Sequence, residues 1–585
     1  MPEGDKGIDA AGIEARLRRP LVPREEGVFR LGLVLNGTVA SGAWTAGALD
    51  FLVEALDLWE DRKREDRRHG GPPTVPDHEL RVCIAGGSSS GGVCAALLAR
   101  AAGWSFPHAK DADAADNRAN PFWRVWVDDF DIGPMLDPSD LAAPGSPPAS
   151  LLSGAAIEAA GAAVLGWPDR DLRPRRRAWL ADPFRVALAL TNLRGVPFRI
   201  AFDADTSGRE RSSHYVDHAD HALFAFPAGE GDAASLGLRG DECLVRDAAG
   251  WARFAEFAKA AASFPGGFPA RRLCRPTTDY DWRGVLLPGE GGEAPRFALR
   301  RPAWGALEPP VRHDLPYWFD CVDGGVVDNR PVELVRTALA GLGNSNPRDP
   351  KAAHTAVLLL DPLAAVPRCD PPPVAPLDLL GVLGELGAAC TDGGRFSTAE
   401  LLLALEPGVA SRFLLTARRE RDGKPRHGAA ALATAGMGAF LGLLCRDLRV
   451  HDYMMGRENC RYFLMHEFLL HEDNPVFRGF AARQPCAAEE YRPRPGERGW
   501  MPIVPVAEHL RVPRLLPDWP RGAFDPASLL EPMRERFGLL LRRLFERDGL
   551  DIPLDDLVVD WTAARKLAGG AEAQMCKALR TGALG

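Results

Sequence analysis

The sequence predicts an α/β domain with a mostly parallel β-sheet, and three observations lead to this class. Apolar runs of strand length recur along the chain, helical stretches separate them, and the runs are apolar at nearly every position rather than at alternate ones. Strands of this kind belong to sheets that helices cover, which is the usual setting of parallel strands. The predicted buried strands are residues 29–35, 80–85, 185–190, 317–322 and 355–360.

Turns of small residues follow the first two predicted strands, and each turn leads into a predicted helix. The first turn spans residues 36–41, and the helix after it, residues 42–59, carries a broad apolar face. The second turn surrounds Ser89 and leads into a predicted helix over residues 93–100. A further helix is predicted over residues 251–263. The chain therefore repeats a strand, turn and helix order that suits a layered domain.

The 585 residues divide by composition into three regions. Residues 1–28 are polar and predicted to be a flexible leader, and residues 29–365 hold all the predicted strands. Proline density rises after residue 360, so a boundary is predicted there, and residues 366–585 are predicted to be a mainly helical C-terminal extension. Within the α/β region, residues 104–180 are loop-rich with short helices and form a candidate lid.

Composition excludes several classes of function and location. A net charge of −8, with arginines interspersed among acidic residues, argues against a nucleic-acid partner. The eleven cysteines include no C-x-x-C pair, which indicates buried thiols in a reducing compartment. The polar N-terminus is not a secretory signal. We therefore predict a cytoplasmic protein.

The stretch Gly428–Cys445 contains no charged residue over 18 positions. Its length reaches the lower edge of a membrane span, but its alanine and glycine content makes it weakly hydrophobic. We predict a buried helix here, with membrane insertion as the alternative. This segment is also the candidate for peripheral contact at the inner face of the membrane.

A candidate nucleophile lies between the second predicted strand and its helix. The run Gly87-Ser88-Ser89-Ser90-Gly91 contains G-x-S-x-G, the pattern of a serine held on a sharp strand-to-helix turn. Gly87 and Gly91 flank Ser89 because such a turn has no room for larger side chains. The pattern selects Ser89 as a nucleophile for acyl transfer, and an ordinary glycine-serine loop is the alternative.

Asp323 is the candidate base for this serine. It ends an apolar strand and precedes Gly324 and Gly325, a position where an acidic residue contributes nothing to packing. The ordinary alternative is that Asp-Gly-Gly simply forms a turn. Together with Ser89, we interpret Asp323 as a general base.

The turn after the first strand is the candidate oxyanion site. It runs from Gly37 to Gly42 and opens a helix, and backbone N–H groups at a helix start favour negative charge. A dinucleotide site is not indicated, because the middle glycine of G-x-G-x-x-G is absent. The predicted oxyanion donors are the backbone N–H groups of Thr38, Val39, Ala40 and Ser90.

In this order, the glycine turn, the G-x-S-x-G run and Asp323-Gly324-Gly325 with Asn329 and Pro331 resemble the patatin-like phospholipases. The resemblance covers about residues 29–365. It implies a three-layer α/β/α fold and a Ser–Asp dyad of Ser89 and Asp323. It also implies that acyl esters of lipids are hydrolysed through an acyl-enzyme without a metal or other cofactor. A lipid or ester substrate is then the expected partner.

The turn departs from the family pattern, which usually reads Gly-Gly-Gly-x-Arg-Gly. Thr38 and Val39 replace two glycines, and Ser41 replaces the arginine. A β-branched residue is strained if its position requires a positive φ. This departure leaves a non-catalytic patatin-like scaffold as an alternative function.

A second alternative is an α/β-hydrolase with a Ser-Asp-His triad. With Asp361 as the acid, His427 and His451 are the nearest histidines that follow it, while His313 precedes the strand of Asp323. The cysteines and histidines between residues 445 and 471 fit no zinc-binding spacing, so no metal is predicted.

One segment of the C-terminal region also carries a weaker resemblance. Residues 452–459 resemble a segment of larger bacterial patatin-like proteins. We interpret them as a helix start with a structural pair between Asp452 and Arg457.

Overall fold

The computed structural model describes residues 10–547, apart from residues 144–146, 169–171, 203–210, 328–330, 365–408 and 521–524 and single positions at 288, 290, 292, 294, 295, 308, 314, 422, 495 and 497. The strands are β1 (Val28–Leu35), β2 (Glu79–Gly87), β3 (Leu180–Phe202), β4 (Arg211–Phe226), β5 (Glu242–Leu244), β6 (Arg271–Pro276), β7 (Gly284–Leu287), β8 (Arg296–Leu299), β9 (Pro316–Asp323), β10 (Thr355–Leu360), β11 (Arg412–Leu415), β12 (Arg418–Arg421), β13 (Lys424–His427), β14 (Leu469–His471) and β15 (Trp500–Pro502). The α-helices are α1 (Ala10–Leu17), α2 (Gly42–His69), α3 (Ser90–Ala101), α4 (Pro121–Trp123), α5 (Ile132–Met135), α6 (Ala155–Gly166), α7 (Ala248–Ala261), α8 (Val332–Ala340), α9 (Leu441–Leu444), α10 (Arg446–His466), α11 (Phe480–Arg483), α12 (Pro485–Glu490), α13 (Glu508–Arg511) and α14 (Leu530–Arg547).

One mixed sheet forms the centre of the fold. Its strands run in the order β11-β10-β1-β2-β3-β4-β5, and β9 pairs with both β3 and β6. The strands from β11 to β3 pair in parallel, as do β4 and β5, whereas β3–β4, β3–β9 and β6–β9 are antiparallel. The mostly parallel sheet predicted from continuous apolar strands is confirmed.

Helices cover both faces of the sheet, which gives the three-layer α/β/α arrangement. Alternate residues of a strand face opposite layers: Leu33 packs with the large core beneath α2, α3 and α7, whereas Val34 packs against Val335 and Leu339 of α8. Both cores are buried, so a strand between them must be apolar at every position. This explains why the strands of the parallel part read as continuous apolar runs.

The C-terminal region packs against the α/β domain. β11 adds a strand to the edge of the central sheet, and α10 packs along α2. The two helices cross where Gly47 faces the carbonyl of Tyr453 and Gly456 faces that of Trp44, so a side chain at either glycine would overlap backbone. Helices remain a main component of this region, as predicted.

A buried ion cluster joins α10 to α2. The guanidinium of Arg457 pairs with the carboxylates of Asp50 and Glu54, and Asp50 also accepts hydrogen bonds from His108 and Asn120. Burial would raise the pKa of Asp50, but Arg457, His108 and Asn120 hold it at about 2. The predicted helix start at residue 452 and the predicted pair between Asp452 and Arg457 are therefore both wrong. α10 begins at Arg446, and the two side chains have partners in other segments of the chain.

The prediction of one buried helix over Gly428–Cys445 is also wrong. The segment contains a 3-10 turn at Gly428–Ala431, an irregular loop and the short helix α9. Met437, Gly438 and Ala439 have φ of 57°, 64° and 70°, and three consecutive left-handed residues break a right-handed helix. Among the helices of the described ranges, none has the length and apolar character needed to cross a bilayer.

The described part of the predicted leader begins with a helix. Ile13 and Leu17, one helical turn apart in α1, are both buried. The segment after α1 is also held to the domain, since the Leu21 N–H donates to the carbonyl of Ala338 in α8 at 2.8 Å. Residues 10–21 therefore pack on the domain rather than forming a free leader.

Candidate active site

The register of β3 brings the two predicted catalytic residues to one edge of the sheet. Gly87, at the end of β2, pairs with Leu188, and two residues further along β3 Leu190 pairs with Asp323 at the end of β9. Ser89 follows Gly87 by two residues, so Ser89 and Asp323 lie at the same level along β3. The antiparallel β9 thus places Asp323, its last residue, beside the end of the parallel β2.

Ser89 lies on a strained turn between β2 and α3. Its φ of 50° and ψ of −130° lie in a region that residues other than glycine rarely adopt. Its N–H donates to the carbonyl of Ala261 at 3.0 Å, which helps to hold this conformation. The carbonyl of Leu35 passes so close to Gly91 that any side chain there would overlap it.

Asp323 is buried, with 3% of its surface exposed. Burial raises the pKa of Asp323 to about 6, against the opposing effect of hydrogen bonds from the Ser89 side chain and from the Gly325 N–H, which lies 2.7 Å from Oδ1. Thr191 fixes the backbone from the neighbouring strand, since its hydroxyl donates to the Asp323 carbonyl at 2.8 Å. A carboxylate with this raised pKa is a better proton acceptor than a solvated one.

The remaining motif glycines are positions of close packing. Gly42 packs against the ring of Trp126, Gly87 against the backbone of Gly91, and Gly324 against the carbonyl of Ala189. Gly37 lies in the turn after β1 and Gly325 supplies the N–H that Asp323 accepts. Asn329 of the family motif lies outside the described residues.

The turn after β1 is tied on both sides of Val39. The Thr38 N–H donates to the Ser90 hydroxyl at 2.8 Å, and the Ala40 N–H donates to the carbonyl of Ala439 at 3.2 Å. Within the described ranges, the N–H groups of Val39 and Ser90 meet no acceptor. Two of the four predicted oxyanion donors are therefore already occupied.

Val39 itself has a φ of 46°, so the position does require the left-handed region. A β-branched residue there costs about 1–2 kcal/mol relative to an ordinary conformation. The strain expected for a non-glycine residue in this turn is thus present.

An apolar groove lies between α3, α6 and α7, and Val93, one helical turn after Ser89, is among its lining residues. It is lined by one face each of α3, α6 and α7: Val93, Ala96 and Leu97; Ala160 and Val164; Phe254, Ala258 and Ala262. Val93 donates its N–H to the Ser89 carbonyl, so the groove starts one helical turn along α3 from Ser89. It reaches Arg100, about 10 Å further along α3 at 1.5 Å per residue, where the guanidinium lies over Trp251.

Among the described residues, none of the histidines considered for a triad has a hydrogen bond to Ser89. His313 bonds to Asp281 at 2.9 Å and His451 to Asp452 at 2.7 Å. His427 ends β13, which pairs with β12 outside the central sheet. Asp361 accepts a hydrogen bond from the Asn36 side chain at 2.7 Å, which ties the ends of β10 and β1 together.

Sequence reasoning missed the C-terminal residues that contact the turn. Ala439 accepts from Ala40, and Thr434 is hydrogen-bonded to Ser41 at 2.8 Å. Thr434 in turn bonds to Asp452. No local motif marks these residues, because their role depends on contacts almost 400 positions apart in the chain.

This arrangement places Ser89 on a strained turn beside the buried carboxylate of Asp323, at one edge of the sheet in a three-layer α/β/α fold. Residues 33–336, more than half of the chain, match the patatin-like phospholipase family, and the chain belongs to that family. A relative of the whole chain is the uncharacterized protein y4iI of Sinorhizobium fredii. It is 28% identical over 548 residues, which cover 88% of this chain and 76% of that protein.

Proposed function

We propose that the protein is a serine acyl hydrolase that cleaves fatty-acyl esters of lipids, phospholipids included, through a Ser89 acyl-enzyme. The observation that carries the proposal is the position of Ser89, on a strained turn at the end of β2, beside the buried carboxylate of Asp323, whose pKa burial raises to about 6. At neutral pH this carboxylate is mostly ionised, yet more basic than a solvated aspartate.

Acylation begins when Asp323 accepts the Ser89 hydroxyl proton as Oγ attacks the ester carbonyl. The carbonyl π electrons move to oxygen, which gives a tetrahedral oxyanion. Collapse breaks the bond to the lipid alkoxide, and Asp323 returns its proton to that leaving group. In deacylation, Asp323 takes a proton from water, hydroxide adds to the acyl carbonyl, and Ser89 leaves with the proton. The products are a fatty acid and the alcohol part of the lipid.

The oxyanion donors in this proposal are the N–H groups of Val39 and Ser90. This choice is supported by the engagement of the other two predicted donors, Thr38 with the Ser90 hydroxyl and Ala40 with the Ala439 carbonyl. Removing one oxyanion donor typically costs about 10²–10³ in rate. The exact placement of Val39 is therefore decisive for activity.

The apolar groove supports a fatty-acyl substrate. Its walls are apolar along α3, α6 and α7, and it begins within one helical turn of Ser89. Such a groove favours an alkyl chain over a polar acyl group because it has few polar partners to offer. In this proposal the acyl chain lies along the groove towards Arg100 and Trp251.

A non-catalytic scaffold is the second candidate function. The observation that favours it is Val39, a strained β-branched residue where the family usually has glycine. Binding of a lipid in the groove without hydrolysis would then be the function.

A fluorophosphonate probe separates the two candidates, because it reacts only with an activated serine. We expect labelling that peptide mapping assigns to Ser89 rather than Ser88 or Ser90. We also expect release of fatty acid from mixed-lipid liposomes, measured by mass spectrometry. Ser89→Ala and Asp323→Asn should abolish both signals.

Asp320→Asn is the matched control, since Asp320 lies on the same strand and pairs with Arg272 at the surface. It should behave as wild type. An unlabelled, inactive but folded wild-type protein would favour the scaffold. Loss of activity on changing His313 or His427 would favour a triad. His451 is left out of this comparison because it contacts Asp452, which is linked through Thr434 to the turn after β1.

A further inference from the structure

We infer that the C-terminal region positions the oxyanion turn of the α/β domain, with Thr434 and Asp452 as its positioning residues. The inference rests on the proposed acyl-hydrolase function, and it assigns a catalytic purpose to a part of the chain that contains neither Ser89 nor Asp323. Its basis is a buried hydrogen-bond chain from the turn to α10.

The first contact holds the backbone of the turn. The Ala40 N–H donates to the carbonyl of Ala439, and the Ala40 side chain packs in an apolar cluster with Leu443 of α9. On the other side, the Thr38 N–H donates to the Ser90 hydroxyl. Val39 is thus held between a tie to the nucleophile turn and a tie to the C-terminal region.

The second contact is a directed chain of hydroxyl groups. Thr434 Oγ1 lies 2.5 Å from Asp452 Oδ2 and 2.8 Å from Ser41 Oγ, and both hydroxyls are fully buried. The Thr434 hydroxyl donates its single proton to the Asp452 carboxylate, so it can only accept from Ser41. Ser41 is therefore the donor to Thr434. The chain runs from Ser41 through Thr434 to Asp452, and each bond polarises the next.

Asp452 is the anchor of the chain. It is fully buried on α10 and accepts from the N–H groups of Ala433 and Thr434, both at 2.9 Å, in addition to the Thr434 hydroxyl. His451 Nδ1 lies 2.7 Å from its other oxygen, Oδ1. Because α10 packs on α2, which begins directly after the turn, the anchor and the turn belong to one packed unit.

Backbone strain at Val39 explains why the turn must be held by these contacts, which together we call the clamp. Val39 adopts a left-handed conformation that a β-branched residue avoids. A residue keeps such a conformation only where several neighbouring contacts hold it in place. Met437 and Ala439, on the facing segment, are left-handed as well. Weakening the clamp should let Val39 relax and move its N–H away from the oxyanion.

The test compares Thr434→Val with Thr434→Ser. Valine keeps the shape but removes the hydroxyl, whereas serine keeps the hydroxyl. For Thr434→Val we expect kcat to fall about ten-fold or more, as a small misplacement near the chemistry typically causes, with KM within about two-fold. Thr434→Ser should stay near wild type. Rates are expressed per site titrated to completion with the fluorophosphonate probe, and melting temperatures are compared.

A thionoester substrate supplies a readout that a merely structural role would not change. Sulfur accepts hydrogen bonds poorly, so an intact oxyanion site strongly favours the oxygen ester. The ratio of ester to thionoester rates should fall in Thr434→Val. Ser41→Ala should have the same effect, and the double variant should lose no more than either single one, because both act through one chain. Ser41→Ala also carries the test if Thr434→Val does not fold.

The outcomes separate this inference from the proposed function. A wild type with no Ser89-dependent activity overturns both. An active wild type, abolished by Ser89→Ala, with unchanged kcat and unchanged thionoester ratio in Thr434→Val and Ser41→Ala overturns the inference alone. An equal loss of activity in Thr434→Val and Thr434→Ser also overturns the inference alone.

Discussion

Ser89 lies beside the carboxyl group of Asp323, and its side chain lowers the pKa that burial raises. The two residues meet because β3 is long enough to pair in parallel with β2 near Gly87 and antiparallel with β9 at Asp323. The Asp323 carboxylate is buried, and burial raises its pKa to about 6. The first two predictions follow from that pKa.

The pH dependence of ester hydrolysis should report Asp323. Only the ionised carboxylate accepts the Ser89 proton, so kcat/KM should fall about ten-fold per pH unit below an apparent pKa near 6 and level off above it. Ionisation of a carboxyl group is nearly athermal, whereas that of an imidazole is not. The midpoint should therefore stay fixed when the profile is repeated at a second temperature, and a clear shift would point to histidine as the base.

Asp323→Asn should stabilise the folded protein at neutral pH while abolishing activity. The folded-state pKa is raised from 3.8 to about 6, so the protonated form favours folding. That stabilisation is complete below pH 3.8 and is lost as pH rises through 6. The neutral amide should recover about 3 kcal/mol of unfolding free energy at pH 8, at about 1.4 kcal/mol per pKa unit. Urea unfolding at pH 4 and pH 8 is the measurement, and equal shifts at both would contradict the prediction.

Ala160→Phe should shift acyl-chain preference. Ala160 lines the groove on α6, and a phenyl ring there would occupy the path of a long chain. We expect kcat/KM for long-chain esters to fall about ten-fold or more, with short-chain esters little affected. Ala159→Phe is the matched control, because Ala159 is the exposed neighbour on the same helix. Equal behaviour of the two variants would exclude the groove as the acyl site.

Val39→Gly should be tolerated better than Ala40→Gly. Glycine at Val39 removes about 1–2 kcal/mol of left-handed strain and costs about 1 kcal/mol of backbone entropy, so the unfolding midpoint should hold or rise. Ala40 does not have a positive φ, so glycine there relieves no strain and only lowers stability through the backbone entropy. The urea unfolding midpoints of the two variants test this prediction. A larger loss for Val39→Gly would mean that its side-chain packing outweighs the strain.

Arg457→Met should destabilise the protein far more than Arg446→Met. Removing Arg457 leaves the buried carboxylates of Asp50 and Glu54 uncompensated, which typically costs about 3–5 kcal/mol. Arg446 lies on the same helix and pairs with Asp128, but half of its side chain is exposed, so less than about 1 kcal/mol is expected. Similar unfolding midpoints would mean that the buried cluster is not an anchor of α10.

The sequence was most informative where local pattern and burial agree. The strand 355–360 was predicted with the observed bounds, and β1 and β2 within two residues, because each is apolar on both faces. Ser89 and Asp323 stand out because each lies at the end of such a strand, beside glycines that a tight turn needs. Their functional roles stay predictions that the experiments above test.

The rest depends on contacts that no local pattern encodes. The apolar composition indicated that residues 428–445 are largely buried. It could not show that Thr434 lies in a loop and is hydrogen-bonded to Asp452. Neither the antiparallel direction of β9 nor the tie between Ala40 and Ala439 has a sequence signal. The engagement of the Thr38 and Ala40 N–H groups also became visible only with these partners in place.

The tie between Ala40 and Ala439 has a consequence for the order of synthesis. When Asp323 is added to the growing chain, Ser89 has already been made, but Thr434 and Ala439 are still more than a hundred residues from being made. At about 5–20 residues per second, that interval is on the order of ten seconds. A nascent chain would thus carry Ser89 and Asp323 before the residues that hold the turn after β1 exist. Under the proposed function, it would gain hydrolytic activity only once Ala439 has been made.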